Sequence, residues 1–246
     1  MSACEDRGAA DDSSPTCVAA PALTPARDGA ARDVNLFGDR HIEWSWVAAH
    51  IGEGPGEALD FGPGESWISL VAVRRGYRVT TVDLETAPRP YVEPDLHSVQ
   101  GDLLCTPLPE SHFDLVINCS SVEHVGLSGR YGVQTDNGDT AGDLRAMQKL
   151  SEVMKSGATM ILTIPVGRDA VFAPMCRVYG RRRLPRLLRL FEITREAYWV
   201  KDESNRWVAC DRSEALAFEA DAGADDWRQN VYGLGCFVLR KGTGDG

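Results

Sequence analysis

Glu123 and His124 stand side by side directly after the apolar run 113–119. An imidazole titrates near neutrality and can take a proton from a hydroxyl, so His124 is the candidate general base. Glu123 can orient that ring or meet a cofactor. A second group is Leu59-Asp60-Phe61-Gly62-Pro63-Gly64-Glu65-Ser66. Gly62 and Gly64 can adopt dihedrals that other residues resist, and they let a ligand approach the backbone. By itself the turn serves equally well as a plain strand-to-helix connection. Asp83, about 20 residues further on, lies where a βαβ nucleotide-binding unit sets a carboxylate against a ribose. Together the turn and the acid form a candidate cradle.

Positioning these groups calls for an alternating chain of strands and helices. Residues 40–51 have helical periodicity, with Ile42, Trp46, Ala49 and Ile51 as the candidates for one face. Strands are expected over 57–61, 77–83, 96–100, 113–119 and 158–165. Helices are expected over 67–75 and 143–155, the second with Leu144, Met147, Leu150 and Val153 as its apolar stripe. Residues 191–200 alternate as a strand, and 233–240 form a last strand that can pair with it. Residues 206–209 either return beside that pair or form a loop. The polar, glycine-rich segment 126–142 reads as a binding loop. Residues 177–189, rich in Arg and Leu, read as an amphipathic helix with a solvated face. The alternative there is a site for a phosphate-bearing molecule, because Arg suits phosphate.

Composition narrows the partners. The chain has 246 residues, a formal net charge of -10 and 43% hydrophobic residues, enough for a substantial core. An acidic chain of this kind is a poor general binder of nucleic acid. No apolar run reaches the ~18 residues that span a bilayer, and the first residues lack a basic-then-apolar leader. No nucleic-acid or membrane partner is therefore expected. The seven cysteines form no CxxC pair, which favours free thiols and a cytoplasmic location. Residues 1–33 read as a disordered acidic tail, 34–241 as a single domain with acceptor-side loops at 126–142 and 166–190, and 242–246 as a frayed end.

The sequence order resembles the class I S-adenosylmethionine-dependent methyltransferases, over roughly residues 57–239. Leu59-Asp60-Phe61-Gly62-Pro63-Gly64 resembles the first motif of that family, although Ser66 replaces the usual third glycine. Asp83 matches the acid at the end of the second strand, and Gly101-Asp102-Leu103 the adenine-side segment. Phe113-Asp114-Leu115-Val116 with Val122-Glu123-His124-Val125 matches the fourth strand and its exit. The helix before the first motif resembles that of small-molecule enzymes of sugar and natural-product pathways.

The resemblance implies an α/β fold: a Rossmann-like, seven-stranded, mostly parallel sheet with an antiparallel last strand and helices on both faces. It implies S-adenosyl-L-methionine as cofactor and methyl transfer to a nucleophilic atom of a small molecule, such as a sugar- or phosphate-bearing natural-product intermediate. Asp60, Gly62, Gly64, Asp83, Asp102, Leu103, Ser120 and Ser121 are the cofactor candidates. His124 and Glu123 are the catalytic candidates. Trp44, Trp46, Arg130, Tyr131, Arg177 and Tyr179 are the acceptor-pocket candidates. Asp139 and Asp143 are candidate metal ligands without a recognised metal spacing. A homodimer is compatible with this reading. A cyclisation on the same cofactor fold, or a non-catalytic cofactor-fold binding protein, remains the alternative.

Overall fold

A computed structural model describes residues 40–85, 93–127, 140–204, 206–221 and 232–242. The expected tail 1–33 and most of the expected loop 126–142 lie outside these residues, as do Arg130, Tyr131 and Asp139.

The short apolar runs form strands because they are buried on both sides. In β1 (Gly56–Phe61), Ala58 points to one helical layer and Leu59 to the other. The same division runs through β2 (Tyr77–Asp83), β4 (Phe113–Cys119) and β5 (Met154–Val166), while β3 (Leu96–Gln100) forms one edge. Helix α1 (Arg40–His50) and α2 (Ile68–Arg74) cover one face through Val47, Ile68 and Ala72. Helix α3 (Gly142–Val153) covers the other, with Ala146, Met147 and Leu150 fully enclosed. Truncating Leu150 to Ala would cost about 2–5 kcal/mol.

After β5 the chain makes a hairpin of β6 (Ala170–Phe172) and β7 (Cys176–Val178), then the short α4 (Arg183–Leu187). It continues through β8 (Phe191–Lys201), β9 (Trp207–Cys210), α5 (Arg212–Ala217) and β10 (Gly233–Lys241). The main sheet runs β3-β2-β1-β4-β5-β10-β8-β9. Strands β1 to β5 are parallel, and β10 is antiparallel to both neighbours, as expected of a reversed last strand.

The expected strand count is corrected from seven to eight. Residues Trp207–Cys210 turn back on β8, with Trp199 opposite Ala209 and Lys201 opposite Trp207. A second correction concerns the arginine-rich stretch. Arg177 belongs to a strand, and the helix is only Arg183–Leu187, with Leu184 and Leu187 buried and Arg186 outward. A third concerns Cys105, which is disulfide-bonded, whereas Cys119, Cys176, Cys210 and Cys236 form no disulfide.

The order of parallel strands reverses between β1 and β4. At such a switch point the connections leave in opposite directions, which opens a crevice beyond the carboxyl ends of the strands. Asp83 ends β2, and Ser120, Ser121, Glu123 and His124 follow the carboxyl end of β4.

Candidate functional site

The glycine turn leaves β1 with Gly62 at φ 65° and Gly64 at φ 52°, a left-handed region that favours glycine. The two glycines do different things. A Cβ at Gly62 would lie 2.7 Å from the Ser121 Cβ, so the loop after β4 rests on this position. The Ser121 hydroxyl closes the contact by donating to the Gly62 carbonyl at 3.0 Å. A Cβ at Gly64 would meet nothing within 4 Å. The Gly64 N–H donates to Asp83 Oδ2 at 2.9 Å, tying the turn to the end of β2. Glu85 N–H donates to the other Asp83 oxygen at 3.0 Å. Asp60 is 1% exposed and accepts from Ser69 Oγ at 2.6 Å. It therefore braces the turn against α2 from beneath.

Asp102 is exposed at the end of β3 and holds its own loop, accepting from Leu104 N–H at 2.8 Å. Leu103 is 2% exposed within the main core. Its side chain packs into that core at the end of the sheet.

On the α1 side, a residue missed in the sequence occupies the end of the sheet. Glu43 is fully buried. It accepts hydrogen bonds from Ser120 Oγ and from Thr163 Oγ1, the latter at 2.8 Å, and pairs with Arg40. These bonds pin α1 to the exits of β4 and β5. Ser120, whose hydroxyl is thus engaged, has φ 50°, an unusual conformation for a non-glycine residue at a strand end. The signal was available: Glu43, Val47 and Ile51 recur every four residues, an acid within the buried stripe. The expected face through Ile42 and Trp46 was out of phase. Burial, and then the Glu43 charge, push the neighbouring Cys119 thiol well above its ordinary value, so it stays protonated.

Trp44 meets Trp67 edge-to-face at 5.7 Å, and Trp67, just past the glycine turn, is 42% exposed. Trp46 faces the other way, against His50 at 3.8 Å and Trp199 at 6.1 Å. The expected pair of tryptophan walls is thereby split, with Trp44 near the turn and Trp46 over β8.

The turn Val122–His124 carries the proposed base. His124 Nδ1 lies 2.6 Å from the Met175 carbonyl, which can only accept. Nδ1 therefore carries a hydrogen, and in the neutral ring Nε2 holds the lone pair. Glu123 Oε1 is 3.6 Å from that Nε2. Beneath the turn, Arg177 is 1% exposed and donates to the carbonyls of Val125 at 2.6 Å and Glu123 at 3.3 Å. Its Nε is 3.7 Å from Asp143 Oδ2, which also accepts from the Tyr179 hydroxyl at 3.1 Å. Burial first, then the charges of Asp143 and Glu123, raise the Tyr179 phenol well above its ordinary value and keep it a donor.

This network accounts for the surroundings of three of the candidates. Arg177 and Tyr179 are interior supports of the His124 turn, and no pocket wall is formed by either. Asp143 already faces a guanidinium, which a metal ion would have to displace. Among the described residues, no group of three His, Cys, Asp or Glu side chains could hold a metal.

A family model described as "Caenorhabditis protein of unknown function, DUF268" matches residues 65–215. Comparison with the curated proteins finds no match. Among solved structures, similarity extends to geranyl diphosphate C-methyltransferase from Streptomyces coelicolor, at 13% identity and TM-score 0.55 over 82% of this chain and 80% of that one. The 4+2 cyclase SpnF is similar at 15% identity and TM-score 0.54, over 87% and 86% of the two chains. The 1,6-didemethyltoxoflavin-N1-methyltransferase of Burkholderia thailandensis is similar at 16% identity and TM-score 0.50, over 81% and 76%. The fold is that of the class I S-adenosylmethionine-dependent methyltransferases.

Proposed function

The chain belongs to the DUF268 family, and we propose that its members of this form transfer a methyl group from S-adenosylmethionine to a nucleophilic atom of a small molecule. The observation that carries this reading is the junction of Gly64 and Asp83. A left-handed glycine with open space where a side chain would stand is tied by its N–H to a carboxylate at the switch point of the sheet. The geranyl diphosphate and toxoflavin enzymes were both crystallised with S-adenosylhomocysteine, and their likeness to this chain supports the same cofactor here.

The residues fit that cofactor. Asp83 would accept from the ribose hydroxyls, the Gly62–Gly64 turn would face the methionine portion, and Asp102 with its loop would border the adenine. When bound, the cofactor supplies a methyl group already activated by a sulfonium. The protein's task is then alignment of the acceptor and removal of its proton. His124 is suited to that task. The Met175 carbonyl fixes its tautomer with the lone pair on Nε2, and Glu123 stands by the same nitrogen to stabilise the imidazolium once formed. Arg177 holds this turn from behind. Trp44 and Trp67 border the turn with flat apolar surface on which an acceptor ring can lie.

Incubation with S-adenosylmethionine labelled in its methyl group and a panel of hydroxyl- and amine-bearing small molecules tests the reading. Label should pass to an acceptor, and His124→Ala should slow that step by on the order of 100-fold or more. Cofactor binding with no transfer to any acceptor would favour the second reading, a cyclisation or binding role, which rests on the likeness to SpnF.

A further inference from the structure

Charge is distributed unevenly along this chain. Residues 170–190 contain six arginines and not one of the 36 acidic residues, so the remainder is still more acidic than its net charge of -10 suggests. Elsewhere, many surface arginines are matched: Arg74, Arg75, Arg78, Arg206, Arg212 and Arg240 each reach a carboxylate. In the segment 181–189 the pattern differs. Arg181, Arg182, Arg186 and Arg189 are exposed. Among the described residues, the single carboxylate near any of them is Asp169, 4.0 Å from Arg182 Nε. That carboxylate is already occupied by the backbone N–H groups of Gly180, Arg182 and Arg183.

The hairpin that joins this segment at Asp169 is apolar. Its residues 170–176 are Ala-Val-Phe-Ala-Pro-Met-Cys, without a polar side chain apart from the thiol. Val171 is 44% exposed, and Ala173 and Pro174 at the tip are exposed too. The inner side of α4 is not available for insertion, because Leu184, Leu187 and Leu188 are buried in the core. What remains outward is a small apolar tip beside exposed guanidinium groups, of which only Arg182 reaches a carboxylate among the described residues.

We propose that the hairpin Ala170–Val178 and helix α4 form a peripheral docking surface for an anionic lipid bilayer. Guanidinium groups pair with lipid phosphates, and the tip meets the boundary between headgroups and acyl chains. The contact crosses nothing, consistent with the absence, among the described residues, of a helix long and apolar enough to span a membrane. It revises the expectation of no membrane partner. Nucleic acid fits less well: the two aromatic residues of the segment are the half-buried Phe172 and the buried Tyr179, leaving no exposed ring for base stacking. An exposed valine–alanine–proline tip likewise has no use against a phosphodiester backbone. The inference stands apart from methyl transfer, since it concerns a different surface and needs no cofactor.

The test is co-sedimentation of the full chain, without cofactor, with vesicles of phosphatidylglycerol and phosphatidylcholine, against vesicles of phosphatidylcholine alone. The protein should sediment with the anionic vesicles at low salt, remain in solution with the neutral ones, and be released as salt screens the contact. Replacing Arg181, Arg182, Arg186 and Arg189 together by Ala should lower partitioning by on the order of 100-fold. Val171→Asp should lower it without touching an arginine, and Arg186→Glu with Arg189→Glu provides a second charge variant should the fourfold one fail to fold. Arg74→Ala with Arg78→Ala, on matched arginines elsewhere, should change it little. Equal sedimentation with neutral vesicles, no effect of the arginine variants, or binding to a short RNA with none to vesicles would each overturn the proposal.

Discussion

Replacing Arg177 by Met should unfold this protein more readily than any exposed arginine change, and the structure sets the size of the effect. The Arg177 guanidinium lies in a nearly water-free interior, donating to the Val125 and Glu123 carbonyls and standing 3.7 Å from Asp143 Oδ2. Methionine fills much of the same volume but offers no donor. Asp143, whose side chain is 3% exposed, would keep the Tyr179 hydroxyl and the Leu144 N–H but lose its counter-charge. Removing one partner of a buried pair costs about 3–5 kcal/mol, and the two abandoned carbonyls fall within that figure. For a domain of this size it corresponds to a Tm lower by roughly 6–20 °C. Thermal and urea denaturation of the wild type, Arg177→Met, Asp143→Asn and the double variant would measure it. The double variant should be more stable than the sum of the singles implies, by about 0.5–3 kcal/mol. An Arg177→Met protein within about 0.5 kcal/mol of wild type, or strictly additive losses, would refute the claim that this pair anchors the His124 turn.

Other outcomes follow from the same geometry. Gly62→Ala should destabilise the fold, since its Cβ meets Ser121 and its φ is left-handed, whereas Gly64→Ala should cost about 1–2 kcal/mol in backbone strain and weaken S-adenosylhomocysteine binding by filling the open space beside the turn; isothermal titration and melting curves separate the two. Ser120→Gly should be more stable than Ser120→Ala by about 1 kcal/mol, because both lose the Glu43 bond but only Ala keeps the left-handed strain; chemical denaturation reads the difference. Asp169 sets a pH dependence. Burial works to raise its pKa, but the N–H groups of Arg182, Arg183 and Gly180 outweigh it and hold the carboxyl below 3.8. Its stabilisation is therefore complete above the unfolded pKa and lost as pH falls through the lower folded value. Asp169→Asn should flatten the stability profile below about pH 4, followed by urea denaturation across that range.

The parts legible in the sequence were those written in local spacing. Gly62, Gly64 and Asp83 form a βαβ signature within one stretch of chain, and 113–119 is apolar enough to be read as a central strand. The residues missed or misplaced depend on phase and on long-range pairing. Glu43 was hidden because the apolar stripe of α1 was centred one residue off, on Ile42 and Trp46, when Glu43 and Val47 share the buried face with Ile51. Arg177 looked like one more member of a basic run. Nothing local marks the change at Gly180 from a strand side chain turned inward to helix side chains turned outward. Trp207–Cys210 is too short to declare itself, and becomes a strand only because β8 offers an unpaired edge. The surroundings of Asp143 were out of sight for a related reason: its counter-charge comes from β7, more than thirty residues away in sequence.

The central claim is that the Gly62–Gly64 turn and Asp83 hold S-adenosylmethionine. Isothermal titration of the full chain with S-adenosylhomocysteine tests it most directly. The account predicts one site per chain, with affinity falling about 10–100-fold in Asp83→Ala as charge-assisted hydrogen bonds are lost. An absence of binding to the folded wild type, or equal affinity in Asp83→Ala, would contradict it.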